Sequence, residues 1–477
     1  MSARRFGTQS LVRLLGNWQE TSSRTPLWRQ LAEALRLLIL DGRLTLQTRL
    51  PGERELAAAL NVSRTTIASA LGQLREEGFL YSRQGSGSRI VLPERPADLP
   101  LPAGISSTLN LSTAALSAGP EVHQAFQHAM TLLPSYLAQT GYDQQGLPVL
   151  REAIARRYSE RGLPTRPDEV MVVNGALSAF ALILRLFTGP GDRVVIDAPT
   201  YPMAISAIQG ASCRPVGVAL PQQGWDCDGL AATIAQTAPR LAWLMPDFHN
   251  PTGRCMDAPT RQRVADIAAR TRTTLVIDET MADLWYNAPP PPPLASFNPD
   301  AAVLTIGSAG KSFWGGYVSA GSAPARGPSP RLFRPAIRWI WVRRCWSNWP
   351  AAGYWKLENA ATLLPPRRDM LKARRDMCET LMAEYFPRWR FSPPEGGLSF
   401  WVELPDMLAT LFSARAESQG IHIGTGTRFG LEGAFDRYLR LPFTLPDEAL
   451  RRAFSTLQPL WQSLAEQKEN TRLRKII

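Results

Sequence analysis

The sequence is poor in cysteine: its five, at positions 213, 227, 255, 345 and 378, lie scattered along the chain. None has the spacing of a metal ligand set, so no metal is expected, and the thiols read as free in a reducing cytoplasm. Long apolar runs are also missing. No stretch of about 18 uninterrupted apolar residues occurs, so no membrane span is expected. Residues 1–17 are basic but hold no apolar signal core, so export is not expected either. Acid is in deficit: 41 Asp and Glu stand against 53 Lys and Arg, a formal charge of +12. That balance invites a nucleic-acid partner. The 477 residues suffice for two or three domains.

Residues 1–91 read as a small DNA-binding unit. Leu27, Leu31, Leu35, Leu38 and Ile39 recur at helical spacing, and Gly42 ends that helix. A second helix over 53–60 buries Leu56 and Leu60, Asn61 and Val62 make a turn, and Ser63 caps a third helix that turns Ile67, Leu71 and Leu74 inward. Residues 80–91, with Gly85-Ser86-Gly87 at their middle, read as a β-hairpin. The sum is a winged helix-turn-helix, mostly α with a β wing. Ser63, Arg64, Thr65 and Thr66 stand at the helix end that enters a major groove. Hydroxyls and helix N–H groups suit phosphates, and Arg64 suits a phosphate or a guanine edge. Arg54 precedes the turn and can reach a base; Gly87 lets the wing backbone approach a minor groove. The ordinary alternative is a capped helix with surface arginines. The strings Leu50-Pro-Gly-Glu-Arg-Glu-Leu-Ala57, Val62-Ser-Arg-Thr-Thr66 and Gly85-Ser-Gly87 resemble the GntR family of bacterial transcription regulators. The resemblance implies a double-stranded DNA operator as partner.

Residues 92–107, with Pro93, Pro96, Pro100 and Pro102, read as a semi-extended linker. From 108 to 465 strands alternate with helices. Strands are expected at 170–173, 193–196, 242–245, 274–277 and 302–306, and helices at 176–187 and 260–270. That alternation implies an α/β domain with a mainly parallel sheet, whose ligands sit beyond the carboxyl ends of the strands. Residues 396–402 and 420–424 read as strands of a smaller C-terminal α+β subdomain, and 466–477 as a charged, solvated tail. Pro289 to Pro293 reads as a polyproline surface loop.

The polar motifs fall at the expected strand ends. Lys311 follows the apolar run 301–306 through Ser308-Ala-Gly, which suits an amine desolvated for Schiff-base formation. Asp278 ends a buried strand and needs a cation, such as a protonated pyridine nitrogen, to stay ionised. Asn250 offers a donor to a phenolate oxygen, and Tyr201 a ring to stack on. Gly175, Ala176 and Leu177 open a helix whose free N–H groups can hold a phosphate, to which Ser308 adds a hydroxyl. Together they describe a site for pyridoxal 5′-phosphate. Singly, each has an ordinary structural reading.

The motifs Asn250-Pro-Thr-Gly253, Asp278 and Ser308-x-x-Lys311 resemble the fold type I aminotransferase family over about residues 108–460. By that resemblance Arg440, in Tyr438-Leu-Arg-Leu-Pro-Phe443, grips a ligand carboxylate, a task suited to its planar fork. A GntR-like head on such a body resembles the MocR subfamily. This implies a cytoplasmic, head-to-tail homodimer that senses a B6 vitamer or amino compound in the body and binds DNA through the head. Two other readings stand: a working aminotransferase with a DNA-binding appendage, and a damaged product that keeps only DNA binding. Two departures are visible. Asp278-Glu-Thr-Met281 lacks the tyrosine usual in the family, and Ala176 and Leu177 replace polar phosphate-helix residues.

Residues 317–350 hold six arginines and no Asp, Glu or Lys, and Trp339, Trp341, Trp346 and Trp349 crowd together. The family's strand Leu-Arg-x-Gly-Trp, whose arginine holds the cofactor phosphate, is expected here and is absent. A shifted frame restores it. Taking the last base of one codon with the first two of the next, residues 316–323 permit Leu-Arg-Ile-Gly-Trp-Ile-Arg. Trp339-Ile340 then forces Asp, Trp341-Val342 Gly, Cys345-Trp346 Leu and Trp349-Pro350 Ala. The segment therefore reads as out of frame between one missing and one extra base: a slip real in the gene loses a core strand and the phosphate arginine in this product, and a sequencing error leaves an ordinary family member. The alternative is a divergent Arg/Trp insert that binds single strands.

Overall fold

The computed structural model describes residues 7–16, 18–19, 25–40, 44, 48–83, 87–91, 109–140, 143, 145–221, 224–315, 320–325 and 360–473. The chain divides into two compact units, Met1–Ser106 and Ser107–Ile477. The expected linker at 92–107 and the helix stop at Gly42 lie outside the described residues.

In the first unit, α1 (Thr8–Leu15), α2 (Leu27–Leu40), α3 (Glu53–Leu60) and α4 (Arg64–Glu76) precede a hairpin of β1 (Leu80–Arg83) and β2 (Gly87–Ile90). Leu31, Leu35, Leu38, Ile39, Leu56, Ile67, Leu71 and Leu74 form its core, with Leu80 and Ile90 from the hairpin. Leu60, expected inside, is half-buried at the edge. The helix α1 was not expected from the sequence; its eight residues add Leu11 and Leu15 to the same core. Ser63 caps α4 as expected, its Oγ accepting the Thr66 N–H at 3.0 Å.

The second unit contains β3 (Leu109–Leu111), α5 (Pro120–Leu132), α6 (Pro148–Glu160), β4 (Met171–Val173), α7 (Ala176–Phe187), β5 (Arg193–Ala198), α8 (Pro202–Gly210), β6 (Arg214–Ala219), α9 (Cys227–Thr237) and β7 (Leu241–Leu244). Then come α10 (Ala258–Thr271), β8 (Thr274–Asp278), β9 (Val303–Ser308), the single turn α11 (Ala309–Ser312), β10 (Ala320–Ala325), α12 (Ala360–Tyr385), β11 (Ser399–Glu403), α13 (Ala409–Ser418), β12 (Ile421–Thr425), β13 (Tyr438–Pro442) and α14 (Asp447–Leu473).

Seven strands form one sheet in the order β4-β10-β9-β8-β7-β5-β6, with β10 antiparallel to both neighbours. Alternation along the strands covers it on both faces. Leu241, Trp243, Val276 and Ile306 pack with α7 and α8, while Ala242, Leu244, Leu275 and Ile277 pack with α6, α9 and α10. A second sheet, β11-β13-β12-β3, lays Phe400, Val402, Leu439 and Leu441 against a core shared with α12, α13 and α14. Its opposite face carries Trp401 directly across from Arg440.

The strand expected to be lost between 317 and 350 is present. Ala320–Ala325 pairs with Val303–Ser308 along its whole length. Ladder hydrogen bonds are backbone bonds, so an altered side-chain sequence can still fill a vacant place between two strands. Residues 316–319 and 326–359 lie outside the described residues, as does most of the segment read as out of frame. The helix α14 runs on to Leu473, past the boundary expected at 465.

Candidate functional site

The winged unit leaves Arg54 and Arg64 exposed, Arg64 as the first residue of α4. The Ser63 hydroxyl lies 2.7 Å from that of Thr65 and 2.8 Å from that of Thr66, so these three are gathered at the helix start. Gly87 has a local reason to be glycine. Its φ is +73°, and a Cβ would stand 2.6 Å from Arg49 Nε. Arg49, which bridges to Arg89 across the wing, adds a cation that sequence reasoning missed.

In the body, parallel strands end at one level. Asp278 is paired with Ile306, and both Val173 and Ser308 are paired with Ala320. This register brings Gly175, Asp278 and the Ser308–Lys311 turn to one edge. Asp278 is buried, and burial pushes its carboxyl up to about 6, against the pull of the Thr280 N–H at 2.9 Å and of Lys311. The Lys311 amine is pushed down by burial and by the charge of Arg440, with Asp278 opposing. Burial and the charge of Arg428 push Arg440 down to about 10. Burial raises Tyr201, and the opposing influences of Asp278 and Arg440 reach it too, so Asp278, Lys311, Tyr201 and Arg440 share one site.

Arg440 is a buried side chain and not a surface strand arginine. Among the described residues its Nε has no hydrogen-bond partner, and neither does Asn250 Oδ1, also buried. Such atoms mark a place built for a polar ligand. Gly175 has φ +92° and offers α7 no capping side chain, which leaves the first N–H groups of the helix uncapped by it. The Ser308 oxygen caps α11 through the Gly310 N–H at 3.1 Å. Met281, in the run that lacks the family's tyrosine, is buried. These residues fit pyridoxal 5′-phosphate: a buried amine, a carboxylate lacking a full cation partner, a buried asparagine whose amide N–H can donate, and an anion-accepting helix start. Among the described residues no cluster could hold a metal ion, and no helix is long and apolar enough to cross a membrane.

Two parts of this site carried no sequence signal. The segment after β3 is drawn into it by three successive carbonyls. Ser112 O accepts from Arg440 Nη2, Thr113 O from Thr444 Oγ1 at 3.5 Å, and Ala114 O from Lys311 Nζ at 2.8 Å. Backbone acceptors leave no trace in residue identity. Behind the strand ends lies a buried set of ion pairs, in which Arg161 Nη1 donates to Glu279 Oε2 at 2.7 Å and Arg261 Nη2 to Asp247 Oδ1 at 2.5 Å. His249, 3.7 Å from Asp197, belongs to no ion pair: burial holds the imidazole down at about 3 and lifts the Asp197 carboxyl to about 7.

A doubly covered sheet with an amine, an acid and an arginine gathered at its strand ends, and a separate winged unit, define a cofactor-binding body joined to a DNA-binding head. Comparison with known proteins narrows the class. The family model for aminotransferase class I and II matches residues 108–457, and that for bacterial regulatory proteins of the gntR family matches residues 27–90. The chain belongs to the aminotransferase class I and II family, with a GntR helix-turn-helix head; the pairing is that of MocR-type regulators. It is 26% identical over 422 residues to the HTH-type transcriptional regulator YisV of Bacillus subtilis, covering 81% of this chain and 86% of that one. It is 27% identical to the probable rhizopine catabolism regulatory protein MocR of Rhizobium meliloti, covering 61% and 63%. The fold is similar to that of the α-aminoadipate aminotransferase LysN of Thermus thermophilus, solved with a phosphopyridoxyl-leucine adduct, at TM-score 0.69, 22% identity and coverage of 76% and 94%. Pyridoxal 5′-phosphate is the cofactor of this family and fold.

Proposed function

We propose that this regulator works as a cytoplasmic homodimer whose body senses an amino compound or a B6 vitamer and whose head reports the result to a repeated DNA operator. The observation that carries the reading is the convergence of Lys311, Asp278 and Arg440 in one buried site. When bound, the cofactor supplies an aldehyde for amines and an electron-accepting ring. The chain's own residues do the rest. Lys311 presents a desolvated amine, which burial holds in its nucleophilic neutral form more than in water. Asp278 holds a protonated ring nitrogen, Asn250 meets the phenolate oxygen, Tyr201 covers the ring, and the start of α7 with Ser308 receives the phosphate. Arg440 takes the ligand carboxylate.

This occupancy offers a route to the head. A ligand carboxylate on Arg440 would compete with the Ser112 carbonyl for the guanidinium. That would release the short segment that follows β3, which the chain joins to the linker. Release on ligand binding is the differential contact that a two-state response requires.

The test is an absorbance spectrum and an operator gel shift on one preparation. A visible cofactor band lost in Lys311→Ala, with operator binding that changes when the ligand is added, supports the reading. Steady turnover of an amino acid with a keto acid, and no effect of ligand on DNA binding, favours a working aminotransferase instead.

A further inference from the structure

Arg157, in the last turn of α6, and Arg161, just past its end, reach the neighbours of Lys311, Asp278 and Asn250. Arg157 and Arg161 are four residues apart and project from one side of the helix end. Arg161 Nη1 donates to Glu279 Oε2 at 2.7 Å, and Glu279 follows Asp278 directly. Arg161 Nη2 faces Asp247 Oδ2 at 3.7 Å, and Asp247 stands three residues before Asn250. Arg157 contacts Asp283, whose Oδ2 accepts from Ser312 Oγ at 3.1 Å, and Ser312 follows Lys311.

The set is mostly buried, the carboxylates more deeply than Arg157 and Arg161. Glu279 and Asp247 are 1% and 0% exposed at the side chain, and the two helix arginines about a fifth. Arg261, wholly buried, holds the second oxygen of Asp247 at 2.5 Å and is itself anchored on the carbonyls of Met256 and Pro292 at 3.0 and 3.1 Å. Three arginines thus face three carboxylates. Such pairs add little net stability over apolar packing, because desolvation offsets their attraction. What they supply is fixed geometry from one helix end at the loops after β7 and β8, and through Asp283 and Ser312 at the turn after β9.

We propose that Arg157 and Arg161 are positioning residues for the cofactor site, holding the three strand ends that present Lys311, Asp278 and Asn250 in mutual register. The proposal rests on the cofactor-binding reading above and goes beyond it. A site residue that is correctly placed only while its neighbours are pinned loses affinity when the pin is removed.

The experiment removes a pair together, so that no unpaired charge stays buried. In Arg161→Met/Glu279→Gln, far-UV circular dichroism checks the fold. Equilibrium dialysis gives the dissociation constant of pyridoxal 5′-phosphate, and visible circular dichroism at saturation reports how asymmetrically the bound ring is held. The expected result is a folded protein with a dissociation constant raised about tenfold or more and a weakened visible dichroic band. Arg161→Lys, which keeps the charge but loses the fork, should fall between that variant and wild type. Arg157→Met/Asp283→Asn gives an independent second reading through Ser312. If either folded double variant matches wild type in both affinity and dichroism, the inference fails while the cofactor reading stands. A wild-type protein that takes up no cofactor overturns both.

Discussion

Asp278 carries a burden that only a cation can lift. Burial keeps its proton on up to about pH 6, whereas the unfolded chain releases it near the ordinary value of 3.8. Between those values the native state binds more protons than the unfolded one, so stability falls as pH rises from about 4 to about 6 and stays lower above that range. The difference is worth at most about 3 kcal/mol. Asp278→Asn removes the slope. Urea unfolding of cofactor-free protein at pH 4 and pH 7.5 should show the variant gaining on wild type at the higher pH only, while cofactor uptake is lost. Arg440 makes a complementary prediction. Arg440→Ala should leave the visible cofactor band in place and weaken binding of a carboxylate-bearing ligand by about 2 kcal/mol, the order of a charged hydrogen-bonded pair. Spectral titration with the amino ligand measures this, and unaltered ligand affinity would remove Arg440 from the site.

At the level of elements, apolar periodicity made the fold readable. Val170–Val173, Thr274–Ile277 and the helix from Ala176 announced themselves, because a doubly covered strand is uniformly apolar and a helix is not. The edge strand β6, with Gly217 and Pro215 in it, hid because it lacks that uniformity. Motif residues were readable for a related reason: Lys311, Asp278 and Asn250 are polar residues at the ends of apolar runs. The tripeptide Ser112–Ala114 and the α6 arginines were not, since their roles lie in carbonyl positions and in distant partners. The segment after β3 makes its own prediction. Hydrogen exchange over residues 109–119 should speed up when ligand occupies Arg440, and stay unchanged in Arg440→Ala. In the head, α4 presents Arg64 while Ser63, Thr65 and Thr66 bond among themselves. Arg64→Ala should weaken operator binding by about 1–3 kcal/mol if it reads a guanine edge. The visible band should be untouched, and equal affinity in a gel shift would count against that docking.

For the molecule as a whole, the segment 317–350 decides how complete the body is. The backbone of Ala320–Ala325 fills the place between β4 and β9, so the sheet closes without the family's residues. A ladder restores no arginine, however, and on the reading proposed above a doubly charged phosphate would rest on the start of α7 and on Ser308. The frame that yields Leu-Arg-Ile-Gly-Trp puts an arginine back at that strand. A charge-assisted, forked contact of this kind contributes about 1.5–3 kcal/mol, so protein from the frame-restored gene should bind pyridoxal 5′-phosphate about 10- to 100-fold more tightly than the present chain. Sequencing the gene across codons 316–350 and comparing cofactor affinities of the two proteins by equilibrium dialysis checks this. An unbroken frame in the gene, together with equal affinities, would show that the Arg/Trp sequence is native and that the phosphate is held without this arginine.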